Sequence, residues 1–197
     1  MSIGVLYIVA TPIGNLQDIT FRAIDTLKKA NFIVAEDTRH CKVLLLHYGI
    51  STPVLSLHEH NERFQIKDIL QRLLQGSACA LISDAGTPLI SDPGYRLVQE
   101  ARAAGVTLVP LPGPCAAIAA LSVSGLATDR FVFEGFLPTK TEARQKYLEK
   151  LLEESRTLVF YEAPHRILAV LKDLNLIFGQ ERKAVIAREM TKFYETI

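Results

Sequence analysis

Five short apolar runs recur along the chain: IGVLYIVA (3–10), FIVAED (32–37), VLSLHE (54–59), ACALIS (78–83) and VTLVPL (106–111). Each passes into a polar loop and then into a segment with helical spacing. This alternation constrains the fold more than any other feature of the sequence. Runs that are apolar throughout suit strands buried on both faces. Strands of that kind, separated by helices, form a mostly parallel sheet covered by helices. The fold class is therefore α/β.

The intervening segments carry helix signals. Asp18 or Thr20 can cap a helix with Ile24, Leu27 and Ala30 on one face. CKVLLLHYG is a short helix closed by Gly49, a residue suited to the left-handed C-terminal position. Asn61 starts a helix that turns Ile66, Ile69, Leu70, Leu73 and Leu74 inward and ends at Gly76. A helix over 95–104 and a small-residue helix, CAAIAALSVSG, follow the fourth and fifth strands.

The texture changes after Gly125. FVFEGFLP (131–138) reads as a strand and turn. Thr141 caps a charged helix with Tyr147, Leu148, Leu151 and Leu152 inward. TLVFYEAPHR (157–166) is a strand running into a turn, followed by a helix with Ile167, Leu168, Leu171 and Leu174. KAVIAREMTK (183–192) begins one more strand. The expected division is an N-terminal α/β domain over 1–127 and a smaller, incomplete C-terminal α/β domain over 128–197. A short sheet of that kind leaves an exposed edge.

Composition narrows the function classes. A net charge of +1 gives no strong overall field for nucleic acid, so RNA contact would rest on local patches. Cys41, Cys79 and Cys115 lack metal-ligand spacing and read as reduced thiols, with no metal expected. The N-terminus has no positively charged leader region, and no apolar run approaches the ~20 residues needed to span a bilayer. The expected location is the cytoplasm.

The chemistry collects after the strands. The five loops are TPIGNLQD, EDTRH, HEHNE, SDAGTPLISDPG and PGPCA. In a parallel sheet they all lie at the carboxyl ends of the strands, where open α/β proteins bind ligands. Gly86 and Gly94 permit positive φ and close backbone approach. Pro88, Pro93, Pro112 and Pro114 stiffen the loops. PGPCA leads into a helix whose first N–H groups are a seat for a carboxylate or phosphate. The Rossmann and P-loop glycine patterns are both absent. Each loop also has a plainer reading: EDTRH as a helix start capped by Asp37 with a surface Arg39, and HEHNE as a helix start at Asn61. His47 and His165 read as packed or solvated histidines.

TPIGNLQDITFRAIDTL, AEDTRH, SDAGTPLISDPG, VPLPGPCAAIAAL and FYEAPHR, in this order, resemble the ribosomal small-subunit methyltransferase I family. That family belongs to the tetrapyrrole-methylase-like class of S-adenosylmethionine enzymes. The resemblance implies a two-domain fold of that class, with the cofactor in the cleft between the domains and a second domain longer than 128–197. It also implies a homodimer and 2′-O-methylation of a cytidine ribose in 16S ribosomal RNA of the small subunit.

By position, the resemblance assigns cofactor contacts to Asp84, Ala85, Gly86, Thr87, Pro88, Ile90 and Ser91, to Pro114, Cys115 and Ala116, and to Tyr161, Glu162 and Ala187. Thr87 departs from the Asp of the wider class. Cys115 and Ala116 stand where that class has small hydroxyl residues. A ribose hydroxyl must lose its proton, so a nearby base would help. Asp84 and Glu36 lead Asp37, His58 and Glu162 for that role, provided the strand order brings their loops together. Arg39, His40, Lys42, Arg63, Arg166, Arg188 and Lys192 flank the motifs and could contact RNA phosphates. Two rival readings stay open: a tetrapyrrole or other small-molecule methyltransferase, and a non-catalytic binding module on the same fold.

Overall fold

The protein is described by a computed structural model covering residues 3–58 and 61–197. It divides into two compact units, Met1–Cys115 and Ala116–Ile197.

The first unit alternates strand and helix: β1 (Val5–Val9), α1 (Phe21–Lys29), β2 (Phe32–Ala35), α2 (Thr38–His47), β3 (Val54–Ser56), α3 (Glu62–Leu74), β4 (Ala78–Ile82), α4 (Tyr95–Ala103) and β5 (Thr107–Leu111). The five strands form one sheet in the order β3-β2-β4-β1-β5, and every neighbouring pair is parallel. The two-residue period of a strand sends alternate side chains to opposite faces. Ala80 and Ile82 therefore join Leu27 of α1 and Leu44 of α2 in one core. Cys79 and Leu81 join Ile66, Ile69 and Leu73 of α3 and Leu97 of α4 in the other. Both faces are covered, which is why the strands are apolar throughout.

Local chemistry sets the helix starts. The Thr20 hydroxyl accepts the Ala23 N–H at 3.1 Å and caps α1, the choice the sequence left open between Asp18 and Thr20. Asp37 caps α2, and Gly49 follows its end at φ +61°. Asn61 stands at the start of α3 but caps nothing: its side chain accepts from the His58 N–H and donates to the Ser56 carbonyl. It ties the helix entrance back to the end of β3 instead. Leu74, expected inward, is 46% exposed, because the buried stripe of α3 runs through Ile66, Ile69 and Leu73 and Leu74 lies one step round the helix from it.

The second unit holds α5 (Ala116–Val123), β6 (Phe131–Phe136), α6 (Thr141–Glu149), β7 (Thr157–Tyr161) and α7 (Ile167–Phe178). β6 and β7 pair in parallel, with a register shift between Phe133 and Gly135. Leu137, Leu148 and Val170 form the core, flanked by Phe160, Leu174 and Phe178. A buried ion pair joins the helices: Arg144 Nη2 lies 2.6 Å from Asp173 Oδ2. Gln145 also donates to Asp173, and Arg144 donates to the carbonyls of Pro138 and Thr139.

Three expectations for this unit are corrected. Thr141 is the first residue of α6, with Lys140 at the cap position and no side-chain cap. Leu152 and Leu168 are 47% and 74% exposed. Leu152 lies past the end of α6, and the inward face of α7 runs through Val170 and Asp173 instead. Residues 183–192 do not form a strand. Arg188 and Thr196 exchange two backbone hydrogen bonds, and Glu189 and Thr191 take positive φ, so the segment curls back on itself. An extended run becomes a strand only where a neighbour completes its ladder.

Candidate functional site

Because β2 lies beside β4, the loops that leave their carboxyl ends adjoin. The condition for bringing Glu36 and Asp84 together is thus met. The Asp37 N–H donates to Asp84 Oδ1 at 3.3 Å. His40 Nδ1 lies 3.2 Å from Asp84 Oδ2 and 3.7 Å from Asp37 Oδ2. These residues, with Glu36, Thr38 and Arg39, line an open depression of about 420 Å³. Ser56 and His58, from the end of β3, complete its wall.

Electrostatics within the depression follow from short contacts. Asp37 Oδ1 accepts the Arg39 backbone N–H at 2.8 Å, and the Arg39 guanidinium grips the same carboxylate, with Nη2 2.7 Å from Oδ2. These hydrogen bonds hold the Asp37 carboxyl well below the usual carboxylate range and push Arg39 upward. The thiol of Cys41 is raised, first by burial and then by the charges of Asp84 and Asp37.

The loop from Asp84 to Gly94 is held by its neighbours. Thr11 and Gly86 exchange backbone hydrogen bonds at 2.8 and 3.0 Å. The buried Thr11 hydroxyl donates to the Ser83 carbonyl, and the Ser83 hydroxyl donates to the Gly86 carbonyl. Thr87 Oγ1 donates to the Pro114 carbonyl at 3.0 Å. The loops after β1, β4 and β5 are in this way one platform. Leu89 and Ser91 sit at φ +74° and +68°, a conformation that costs of order 1 to 3 kcal/mol each and clusters at ligand sites. Gly86 and Pro88 are buried in the platform, while Asp84, Ala85, Ile90 and Ser91 face outward. Burial raises the Asp92 carboxyl, a Ser83 hydrogen bond opposes the rise, and the Asp84 charge adds to it.

In the second unit, the Tyr161 hydroxyl accepts the Ala117 N–H at 3.1 Å, so one first-turn donor of α5 already has a partner. Its ring packs edge-on against Phe133 and Phe136. The Glu162 side chain is buried: Oε1 accepts the Ala163 N–H and lies 3.2 Å from Arg166 Nε, while Oε2 has no hydrogen-bond partner. Pro114 and Cys115 end the first unit half-buried, and Ala116 opens α5 in the second. Ala187 lies in the curled segment, not on a strand.

The basic residues fall on several elements of the two units. Arg39, His40 and Lys42 are exposed on α2, and Arg63 is exposed on α3. Arg166 turns inward and donates to the carbonyls of Leu137 and Pro138. Arg188 is exposed, and Lys192 pairs with Glu189 at 3.2 Å. Of the HEHNE loop, Glu59 and His60 lie outside the described residues. Sequence reasoning missed Thr11, Ser56 and Ser83. The signal was present, since each is a hydroxyl residue at or just beyond the carboxyl end of a strand. Among the described residues, no group of three or more His, Cys, Asp or Glu is placed to hold a metal ion. No helix among them is long and apolar enough to cross a membrane.

Comparison with known proteins agrees with this architecture. Residues 5–197 match the family model described as tetrapyrrole (corrin/porphyrin) methylases. The chain is 60% identical over 194 residues to "Ribosomal RNA small subunit methyltransferase I" of Haemophilus influenzae, covering 98% of this chain and 69% of that protein. It is 56% identical to the protein of the same name in Pseudomonas aeruginosa, over 100% of this chain and 70% of the relative. Among solved structures, it is similar in fold to uroporphyrin III C-methyl transferase of Thermus thermophilus, with a TM-score of 0.66 and 19% identity over 98% of this chain and 86% of that one. A diphthine synthase gives a TM-score of 0.65 at 15% identity, over 90% and 73% of the two chains. The parallel sheet with its tied loop rim, the family match over 5–197 and the near-full-length identity agree: this chain belongs to the ribosomal RNA small subunit methyltransferase I family within the tetrapyrrole methylases.

Proposed function

We propose that this chain transfers a methyl group from S-adenosylmethionine to the 2′-hydroxyl of a cytidine ribose in 16S ribosomal RNA of the small subunit. The observation that carries the reading is 60% identity over 98% of the chain to a ribosomal RNA small subunit methyltransferase. The rim geometry suits that chemistry. A cationic sulfonium donor is favoured by the carboxylates of Asp84 and Glu36, and Ala85, Ile90 and Ser91 offer an outward face for the rest of the molecule. Gly86 gives the backbone freedom that the tied loop needs, and Pro114, Cys115, Ala116, Tyr161, Glu162 and Ala187 are the remaining proposed contacts. Bound there, the donor would supply an already activated methyl group, which leaves alignment of the nucleophile as the main task of the protein.

Arg39, Lys42 and Arg63 are the proposed RNA contacts of the first unit, with Arg188 and Lys192 in the second; Arg166, turned inward onto the carbonyls of Leu137 and Pro138, is not among them. A cytoplasmic homodimer accompanies this reading. Sedimentation equilibrium tests the homodimer. The function itself is tested by incubating the chain with small ribosomal subunits and methyl-labelled S-adenosylmethionine, then digesting the RNA to nucleosides. Label is expected on a cytidine ribose. Label on a base, or on an added tetrapyrrole and not on RNA, overturns the proposal.

A further inference from the structure

The positions of His40 and Asp84 in the same depression define roles that neither residue type specifies alone. The loops after β2 and β4 place His40 Nδ1 3.2 Å from Asp84 Oδ2 and 3.7 Å from Asp37 Oδ2. Two carboxylates thus face the same ring nitrogen. Asp84 is itself oriented, since its other oxygen accepts the Asp37 N–H. Asp37 is committed to Arg39 through both oxygens. The His40 side chain is 73% exposed, so the ring reaches solvent from the wall of the depression.

We propose that His40 is the proton acceptor for the ribose hydroxyl and that Asp84 is its positioning residue. The inference rests on the methyl-transfer reading above. A proton favoured on Nδ1 by the two carboxylates leaves the Nε2 lone pair available, and which nitrogen carries the proton is set by what faces the other. Nε2 takes the hydroxyl proton while an oxygen lone pair forms the new O–C bond; the electron pair of the broken C–S bond stays on sulfur. The imidazolium then returns its proton to water. The proton passes to neither Glu36 nor Asp84. This differs from a phosphate contact by His40, because a phosphate ligand would affect RNA binding and not the chemical step.

Two measurements decide the matter. The first uses the protein alone. Nitrogen-15 long-range correlation spectra of the neutral imidazole are expected to show the Nδ1–H tautomer at His40, and Asp84→Asn is expected to shift it toward Nε2–H. A His40 tautomer that is Nε2–H in the unchanged chain, or that ignores Asp84→Asn in a folded variant, overturns the positioning role.

The second measures single-turnover methylation of small subunits alongside RNA affinity. His40→Gln is expected to slow the chemical step by about 10²-fold, the low end of general-base effects, with RNA affinity changed less than twofold. Loss of affinity at an unchanged rate of the bound complex assigns His40 to phosphate binding and overturns the proposal. An active wild-type chain with an equally active His40→Gln overturns the proton-acceptor role alone. A wild-type chain that methylates no RNA overturns the methyl-transfer reading and this proposal with it.

Discussion

Gly86 sits at φ +84°, and a Cβ there would lie 3.3 Å from Ile13 Cγ2 and 3.7 Å from the Pro114 carbonyl. A β-branched side chain combines that crowding with a backbone region it rarely adopts. Gly86→Val is expected to displace the loop and weaken S-adenosylmethionine binding at least tenfold by calorimetry, while far-ultraviolet circular dichroism stays native. A folded variant with unchanged affinity contradicts this. Arg39 raises a different question, because the sequence allowed either an internal pair or a phosphate contact. The pair with Asp37 forms, yet the Arg39 side chain is 89% exposed, so the pair sits in water and leaves the guanidinium reachable. Arg39→Ala is expected to reduce the salt slope of RNA binding by about one, with little change in Tm. A lowered Tm with an unchanged slope would assign it to the fold alone.

At the scale of elements, α6 and α7 are joined by a charged contact that helical periodicity does not reveal. Arg144 and Asp173 are 3% and 8% exposed at the side chain. Removing one partner of such a pair leaves a buried charge uncompensated, which costs about 3–5 kcal/mol. Asp173→Ala is expected to destabilise the chain by that amount in urea, whereas Arg144→Met with Asp173→Leu should cost markedly less, since neither charge then remains. A single variant within 1 kcal/mol of wild type would show the pair to be dispensable. The sequence reading placed an apolar stripe on α7 correctly in kind but chose Leu168, which is exposed, and passed over Asp173, which is buried. A lone aspartate in an apolar helix is legible as unusual. Its partner, 29 positions away, is not.

Across the whole molecule, several carboxylates carry depressed values for named reasons. Burial would raise Asp173, but hydrogen bonds from Gln145 and Arg144 outweigh it. Arg156 holds Glu154 down at about 2 and Arg39 lowers Asp37, but both pairs lie in water at the surface and add little to stability. A carboxyl depressed on folding adds stability above its unfolded value and loses it as pH falls through the folded one. The ordinary values are 3.8 for Asp and 4.5 for Glu, so Tm is expected to hold at neutral pH and to fall as pH drops below about 4. Asp173→Asn should begin from a lower Tm and fall less steeply across the same range, as scanning calorimetry from pH 6 to 2 would show. A variant with the wild-type slope would remove Asp173 from the account.

Short-range pattern was enough to read the strand–helix alternation, the doubly covered sheet, the Asp37 cap and the gathering of five loops on one rim. Each of these follows from the two periods of backbone geometry and from turn chemistry within a few residues. Strand order was not readable in this way. Only the folded sheet sets β2 against β4, and that adjacency alone brings Asp84 to His40 and, across 47 positions of chain, to Asp37. The same limit governs residues 183–192, whose apolar run resembles a strand but pairs with no strand among the described residues. Strand pairing and buried charge pairing are contacts between distant parts of the chain, so tertiary structure decided both.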